Sequence, residues 1–393
     1  SIDGRIQMSN TNNATIADIT RSVDNEILKI RTKSLDISFN ELYDMYTDGE
    51  LIIAPDYQRL FRWEEEKQSR FIESLILEMP VPPIFVIEID DNRYELIDGL
   101  QRISSYLHFR GESFEKIREI NHGCDGYGNN GKYSGLKLCG CDIVPEINGL
   151  IYSELPKALQ IKLKRSFVRM EVIKKESDNS LKYHMFKRLN TGGELLSAQE
   201  IRNCTIRLLG TRGIDFIDEC SKDQGFQMAI EKLGEDKKKA RYDQELVLRF
   251  FAIKNDIESY RYPVTEYLTR FLEEITRENI AFDYAEEKRV FKETFKLISE
   301  EFGVDAFSGI TESGFYRDEF ALYLFDVAIS IAVNIDKIKL RGAESRVREN
   351  IEKLKKDKDI LRSYKTGSVQ AVRGRFDIFA REIKSAIEGI ANA

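Results

Sequence analysis

Apolar positions follow two periods along this chain, and the balance between them changes near residue 210. In the first part, short apolar runs alternate with amphipathic stretches. Leu51 to Ile53, Ile84 to Ile89, Arg93 to Ile97 and Val168 to Ile173 read as strands, with Asp90-Asp-Asn92 turning the second into the third as a hairpin. Leu35 to Asp48 reads as a helix with Phe39, Leu42, Tyr43 and Tyr46 on one face. Glu64 to Glu78 is amphipathic, with acids in its first turn where the helix dipole favours them, and Met79-Pro-Val-Pro-Pro83 stops it. Leu100 to Phe109, Lys157 to Arg165 and Ser180 to Leu189 complete the helices of this part. Ser197-Ala-Gln-Glu200 is a capping box that opens the next helix. Beyond it the helical period dominates, at Gln244 to Ala252, Val264 to Glu274, Ala285 to Phe302, Arg317 to Val333, Glu344 to Lys356 and Val369 to Ile387. The pattern predicts an α+β N-terminal domain over 34–210 and an all-α C-terminal domain over 211–393, after a polar, flexible segment over 1–33.

Composition narrows the class. The chain has 393 residues, 42% hydrophobic and 32% charged, enough for a large globular core. The longest apolar run, Ala321 to Ile335, is interrupted by Asp326 and Asn334, is too short to span a bilayer and reads as a buried helix. No signal-peptide pattern is read, Met8 is taken as the native start, and five cysteines fit a reducing compartment, so a cytoplasmic location without membrane attachment is expected. The net charge of −7 hides segregation: Glu41 to Asp98 holds fifteen acids against five bases, Lys157 to Arg212 thirteen bases against five acids, and Lys337 to Lys384 fifteen against seven. Two basic blocks allow a phosphate-bearing ligand, and they equally suit solvated helix faces.

Several chemistries are disfavoured. Gly126-Tyr-Gly-Asn-Asn-Gly131-Lys132 imitates a phosphate-binding loop, but Tyr133 stands where the magnesium-binding Ser or Thr belongs, and no strand leads in. The Gly-rich stretch Asn121 to Asp142 suggests a long hairpin that would put His122, Cys124, Cys139 and Cys141 on one face, as a zinc site needs; ordinary buried cysteines account for it as well. His108, His122 and His184 form no metal-binding pair, and there is no G-x-S-x-G elbow. Trp63 is the only tryptophan, and no basic-aromatic platform for nucleic acid stands out.

Three polar loops remain. They are Tyr57-Gln58-Arg59 with Arg62, Asp98-Gly99-Leu100-Gln101-Arg102, and Lys187-Arg188-Leu189-Asn190-Thr191-Gly192-Gly193. The second joins a strand to a helix and puts Arg102 in the first helical turn, where exposed N–H groups and the dipole already carry positive charge. An anion beside it is expected, and a phosphate fits. Asp98 as N-cap with Gln101 three residues on is also a plain capping box, and Leu100, Ile103 and Leu107 share a face suited to the core. Asn190 and its glycines equally suit a helix C-cap.

Taken in order, Pro55 to Trp63, Ser74 to Ile84, Asp98 to Ile103, Phe186 to Gly193 and Leu196 to Asn203 resemble the N-terminal domain of GmrSD-type restriction endonucleases, a ParB/sulfiredoxin-like family. The resemblance covers about residues 34 to 250. It implies a nucleotide-binding domain over 34–210 that binds and hydrolyses a nucleoside triphosphate with Mg²⁺, in the service of antiphage DNA restriction. On this reading Asp98, Gln101 and Arg102 act in catalysis, and Gln58, Arg59, Arg62, Gly99, Arg188 and Asn190 bind the nucleotide. Leu100 replaces the first glutamine of the family's Asp-Gly-Gln-Gln-Arg motif. No HNH nuclease signature is seen in this chain, so DNA and a separate nuclease or modification-system protein are the partners implied. A DNA- or protein-binding module on the same fold, without hydrolysis, is the alternative.

Overall fold

A computed structural model describes residues 16–54, 61, 63–111, 135–190, 197–311, 313–356 and 366–389. The chain divides into two compact units, Ser1–Gly192 and Gly193–Ala393.

The first unit is built on a five-stranded mixed sheet. Its strands are β1 (Thr32–Ser38), β2 (Leu51–Ile52), β3 (Ile84–Asp90), β4 (Arg93–Asp98) and β5 (Phe167–Ile173), in the order β1-β5-β3-β4-β2. β3 and β4 form the expected hairpin, β5 runs parallel to β3, and β1 runs antiparallel to β5 with Thr32 opposite Ile173 and Ser38 opposite Phe167. Val86 and Ile87 are consecutive, so they face opposite sides of the sheet, yet both are buried. The sheet is therefore covered on both faces. Helices α2 (Phe39–Thr47), α3 (Glu65–Ile76), α4 (Leu100–Phe109) and α5 (Lys157–Arg165) pack among themselves, and α6 (Asn179–Asn190) packs against β4.

Two expectations change here. Within the N-terminal segment, Ile16–Ile27 forms a helix, α1. The predicted helix from Leu35 begins only at Phe39, because Thr32–Ser38 is an edge strand. Ser38 ends that strand and caps α2, its hydroxyl accepting the Glu41 N–H at 3.1 Å. The apolar spacing of α2 runs on smoothly from Leu35 and Ile37 and hides the junction.

The second unit is helical among its described residues apart from one isolated β-bridge between Ile310 and Tyr316. It includes α7 (Ala198–Thr205), α8 (Arg212–Ser221), α9 (Gln224–Ala229), α10 (Glu235–Lys239), α11 (Tyr242–Asp256), α12 (Val264–Thr276), α13 (Tyr284–Glu301), α14 (Leu322–Leu340), α15 (Glu344–Lys356) and α16 (Val369–Glu388). The predicted capping box at Ser197 forms: its hydroxyl accepts the Glu200 N–H at 3.1 Å and Glu200 Oε2 accepts the Ser197 N–H at 2.8 Å. The helix expected from Arg317 starts at Leu322. α14 contains the long apolar run and is buried along most of its length, and no described helix is long and apolar enough to cross a membrane. A cluster of Phe250, Phe291 and Phe295 fills the core, with Phe291 and Phe295 ring centres 4.6 Å apart. Beside it α11, α14 and α16 enclose an ionic triad, in which Asp326 accepts from Arg249 at 3.1 Å and from Arg375 at 2.6 Å.

Candidate functional site

β4 ends at Asp98 and α4 begins at Leu100, so the whole Asp98–Arg102 motif occupies one strand-to-helix turn. Gly99 makes the turn, with φ +105° and ψ 8°, in the left-handed region that glycine tolerates. A Cβ at Gly99 would also lie 2.5 Å from Ile84 Cγ2, so glycine is required twice over.

The capping box expected from Asp98 and Gln101 does not form. Gly99 is the N-cap and offers no side chain, which leaves Leu100, Gln101 and Arg102 as the first three helical residues. Their amides receive no side-chain cap. Asp98 instead accepts a hydrogen bond from Arg102 Nη2 at 3.1 Å, and the same nitrogen donates to the Pro83 carbonyl at 3.0 Å. The anion beside Arg102 is thus Asp98 of its own chain. Arg102 is 13% exposed, and its Nε and Nη1 make no hydrogen bond to the described residues. A guanidinium has five N–H donors, so several stay available for a second acceptor.

Gln101 reaches across the unit to Trp63. Its Oε1 accepts the Trp63 N–H at 3.1 Å, which fastens Trp63 to the start of α4. A second clasp was not foreseen in the sequence. Buried Gln68 of α3 donates from Nε2 to the Trp63 carbonyl at 2.8 Å, and its Oε1 meets His108 Nδ1 at 2.9 Å. The amide orientation follows, because only Nε2 can donate to a carbonyl; His108 then carries its proton on Nδ1. The signal lay in Gln68 and His108 falling on apolar faces of two amphipathic helices, where a lone polar residue needs a partner.

Leu100 is 3% exposed and joins Ile103 and Leu107 in the core, so that predicted face is present. Arg188 is exposed near the end of α6, the helix that packs against β4. Asn190 is the last residue of α6 and is still helical; its side chain, Thr191, Gly192 and Gly193 lie outside the described residues. So do Gln58, Arg59 and Arg62.

The zinc reading loses its hairpin in the part that is described. Residues 136–141 form no strand: the Cys139 N–H donates to Ser69 Oγ at 3.0 Å and the Cys141 N–H to Asn148 Oδ1 at 2.9 Å. Burial pushes the Cys141 thiol up to about 11. His122 and Cys124 lie outside the described residues, and among those described no group of three or more His, Cys, Asp or Glu is placed to hold a metal. Three cations of the first basic block are neutralised by acids of their own unit. Lys174 pairs with Glu88 at 2.8 Å, Arg169 with Asp36 at 3.1 Å and buried Arg202 with Glu245 at 2.9 Å.

Residues 39–207 match the family model described as the N-terminal domain of the GmrSD restriction endonuclease. This stretch belongs to that family. No curated protein and no solved structure matches the chain. The GmrSD match brackets every site residue expected above and ends inside the second unit, where Ser197 and Arg202 are bound to Ala240 and Glu245.

Proposed function

We propose that the GmrSD-type domain is a ParB/sulfiredoxin-like nucleotide-binding domain, and that the protein is a triphosphate-dependent sensor or regulator of DNA cleavage in a bacterial antiphage restriction system. The family match supports membership of a restriction system. The observation that carries the nucleotide reading is Arg102: held by Asp98 and the Pro83 carbonyl, it keeps Nε and Nη1 unbonded among the described residues, at a helix start without a side-chain cap. Backbone amides and a fixed guanidinium together suit a phosphate. On this reading Arg102 and Arg59 hold phosphates. Gln101 holds Trp63 beside the turn, and Gln58 and Arg62 bind the nucleotide. Arg188 and Asn190 close the pocket.

Mg²⁺ is commonly bound by one or two carboxylates and the phosphates of its nucleotide. Asp98 fits that role: Oδ2 faces Arg102, and Oδ1 makes no hydrogen bond to the described residues. With the ion bound, phosphate charge would be neutralised for attack by water.

The reading is tested by titrating each of the four nucleoside triphosphates with Mg²⁺ into the full chain and following phosphate release with and without DNA. Binding with turnover is expected. A second reading rests on the ion pair itself: Asp98 already balances Arg102, so the turn is complete as a scaffold. Absence of both binding and turnover would favour that reading, a DNA- or protein-binding module acting beside a separate nuclease or modification-system protein.

A further inference from the structure

The first unit carries two apolar surfaces that its own chain leaves apart. One is a groove of about 770 Å³ bordered by Leu75 at the end of α3, the Met79–Val81 turn, α5 and the start of β5. Phe167 on its rim is 68% exposed, and Ile161 and Met79 are exposed beside it. The other is α1. Its Ile19, Val23 and Ile27 recur at helical spacing on one stripe, and all three are exposed. Scattered apolar side chains on a surface are ordinary; a continuous stripe and a groove are not.

The root of α1 is fixed at the far end of the sheet from the groove. The Lys174 N–H donates to the Arg31 carbonyl at 2.8 Å, and the Asp178 N–H to the Lys29 carbonyl at 2.9 Å. These bonds hold the exit of α1 at the end of the β1–β5 ladder where Thr32 faces Ile173. The groove opens at the other end, where Ser38 faces Phe167, roughly 20 Å away for strands of this length.

Charge selects the occupant. α1 carries Asp18, Asp24 and Glu26 against Arg21, a net of −2. α5 carries Lys157, Lys162, Lys164 and Arg165 with no acid, a net of +4. The two acids on the groove wall are already engaged, Glu78 with Lys162 at 3.6 Å and Asp36 with Arg169 at 3.1 Å. Arg165 has no ion-pair partner among the described residues.

We propose that α1 of a second copy of this chain seats its Ile19–Val23–Ile27 stripe in the groove, with its acidic residues toward α5, and that the exchange is reciprocal. Such a contact is self-complementary and closes as a two-fold dimer. It does not depend on the nucleotide reading.

The experiment is light scattering after gel filtration of the full chain over a range of concentrations. The wild type is expected to dimerise. Ile19→Asp with Val23→Asp, and separately Phe167→Asp, should each weaken association by about tenfold or more, the scale of one lost apolar anchor. All three side chains are exposed, so circular dichroism should show the fold retained. Mixing the two variants should restore part of the association, because one intact α1 then meets one intact groove. A wild type that stays monomeric, a dimer that neither variant weakens, or variants that fail to complement on mixing would each overturn the proposal.

Discussion

Arg102 Nη2 bridges Asp98 Oδ2 at 3.1 Å and the Pro83 carbonyl at 3.0 Å, so one nitrogen ties the start of α4 to the residue entering β3. Arg102→Ala removes both bonds. It should weaken triphosphate binding by about 1.5–3 kcal/mol, the range for a hydrogen bond to a charged group. A cation at a helix start would by itself be destabilising, and its removal neutral or helpful. The ion pair reverses that sign, and a small loss of thermal stability, about 1 kcal/mol or less, is expected. Calorimetric titration and thermal unfolding read the two effects separately. A large stability loss with unchanged nucleotide affinity would make Arg102 a purely structural residue.

Gly99→Ala attacks the same turn through the backbone. The added methyl meets Ile84 Cγ2 at 2.5 Å, and φ at +105° is strained for any L side chain. Denaturant unfolding should show a loss of more than about 1 kcal/mol. If the turn forms the phosphate site, nucleotide affinity falls with it, because Arg102 moves with the first turn of α4. Unchanged stability would show that the turn relaxes more easily than its geometry indicates.

Four of the five strands and the long helices were legible because their apolar periods are strong. What escaped has a physical cause in each case. β1 is an edge strand with only Leu35 and Ile37 to mark it, and it runs into the apolar spacing of α2. The Ser38-Phe-Asn-Glu41 spacing was the readable sign of the boundary. Asp-x-x-Gln is a capping pattern that points to Asp98 as N-cap, but Gly99 in the left-handed region places the helix start one residue later. The local pattern could not reveal that Asp98 has a competing partner at Arg102 or that Gln101 reaches back to Trp63, thirty-eight residues earlier in the chain. The motif residues were thus identifiable, while their hydrogen bonds are tertiary and had to be observed.

Leu100 separates two accounts of the motif. It stands where the family has a glutamine, yet its side chain is packed in the core beside Ile103 and Leu107. Leu100→Gln should bury an amide and cost about 1–3 kcal/mol, with no gain in nucleotide turnover. The measurement is unfolding free energy alongside phosphate release. A rate increase of about tenfold, equivalent to ~1.4 kcal/mol of barrier, would show instead that an amide at this position reaches the attacking water.

Glu88 of β3 gives the first unit an acid sensitivity. The hydrogen bond from Lys174 holds its carboxyl below the ordinary glutamate value of 4.5, with burial opposing. A folded-state value below the unfolded one contributes stability above 4.5, and that contribution is lost as pH falls through the lowered value. Lys174 is raised by the same bond, so its share persists through neutral pH and is lost only on the alkaline side, above 10.5. Glu88→Gln should therefore be less stable than wild type at neutral pH, and the gap should close as pH falls below 4.5 and through the lowered value. Thermal unfolding at several pH values checks this; a gap that persists in acid would mean that packing, not charge, is at stake.

The triad in the second unit makes an unequal demand on its members. Asp326 is fully buried and is the common acceptor for Arg249, at 3.1 Å, and Arg375, at 2.6 Å. Arg375 is also held by the Thr366 carbonyl at 2.8 Å. Two cations thus share one carboxylate. Removing the carboxylate leaves two buried guanidinium groups without a counter-ion, and Asp326→Ala should cost about 3–5 kcal/mol or prevent folding. Removing one arginine leaves a neutral, hydrogen-bonded pair. Arg375→Met, which keeps much of the side chain's length, should therefore cost distinctly less than Asp326→Ala, because the remaining Arg249–Asp326 pair still satisfies the carboxylate. In the double variant the excess charge falls to one, and its cost should be smaller than the sum of the single losses. Urea unfolding of the three variants checks the order. If Arg375→Met is as damaging as Asp326→Ala, the arginine's packing and its bond to Thr366, rather than charge balance, hold α16 in place.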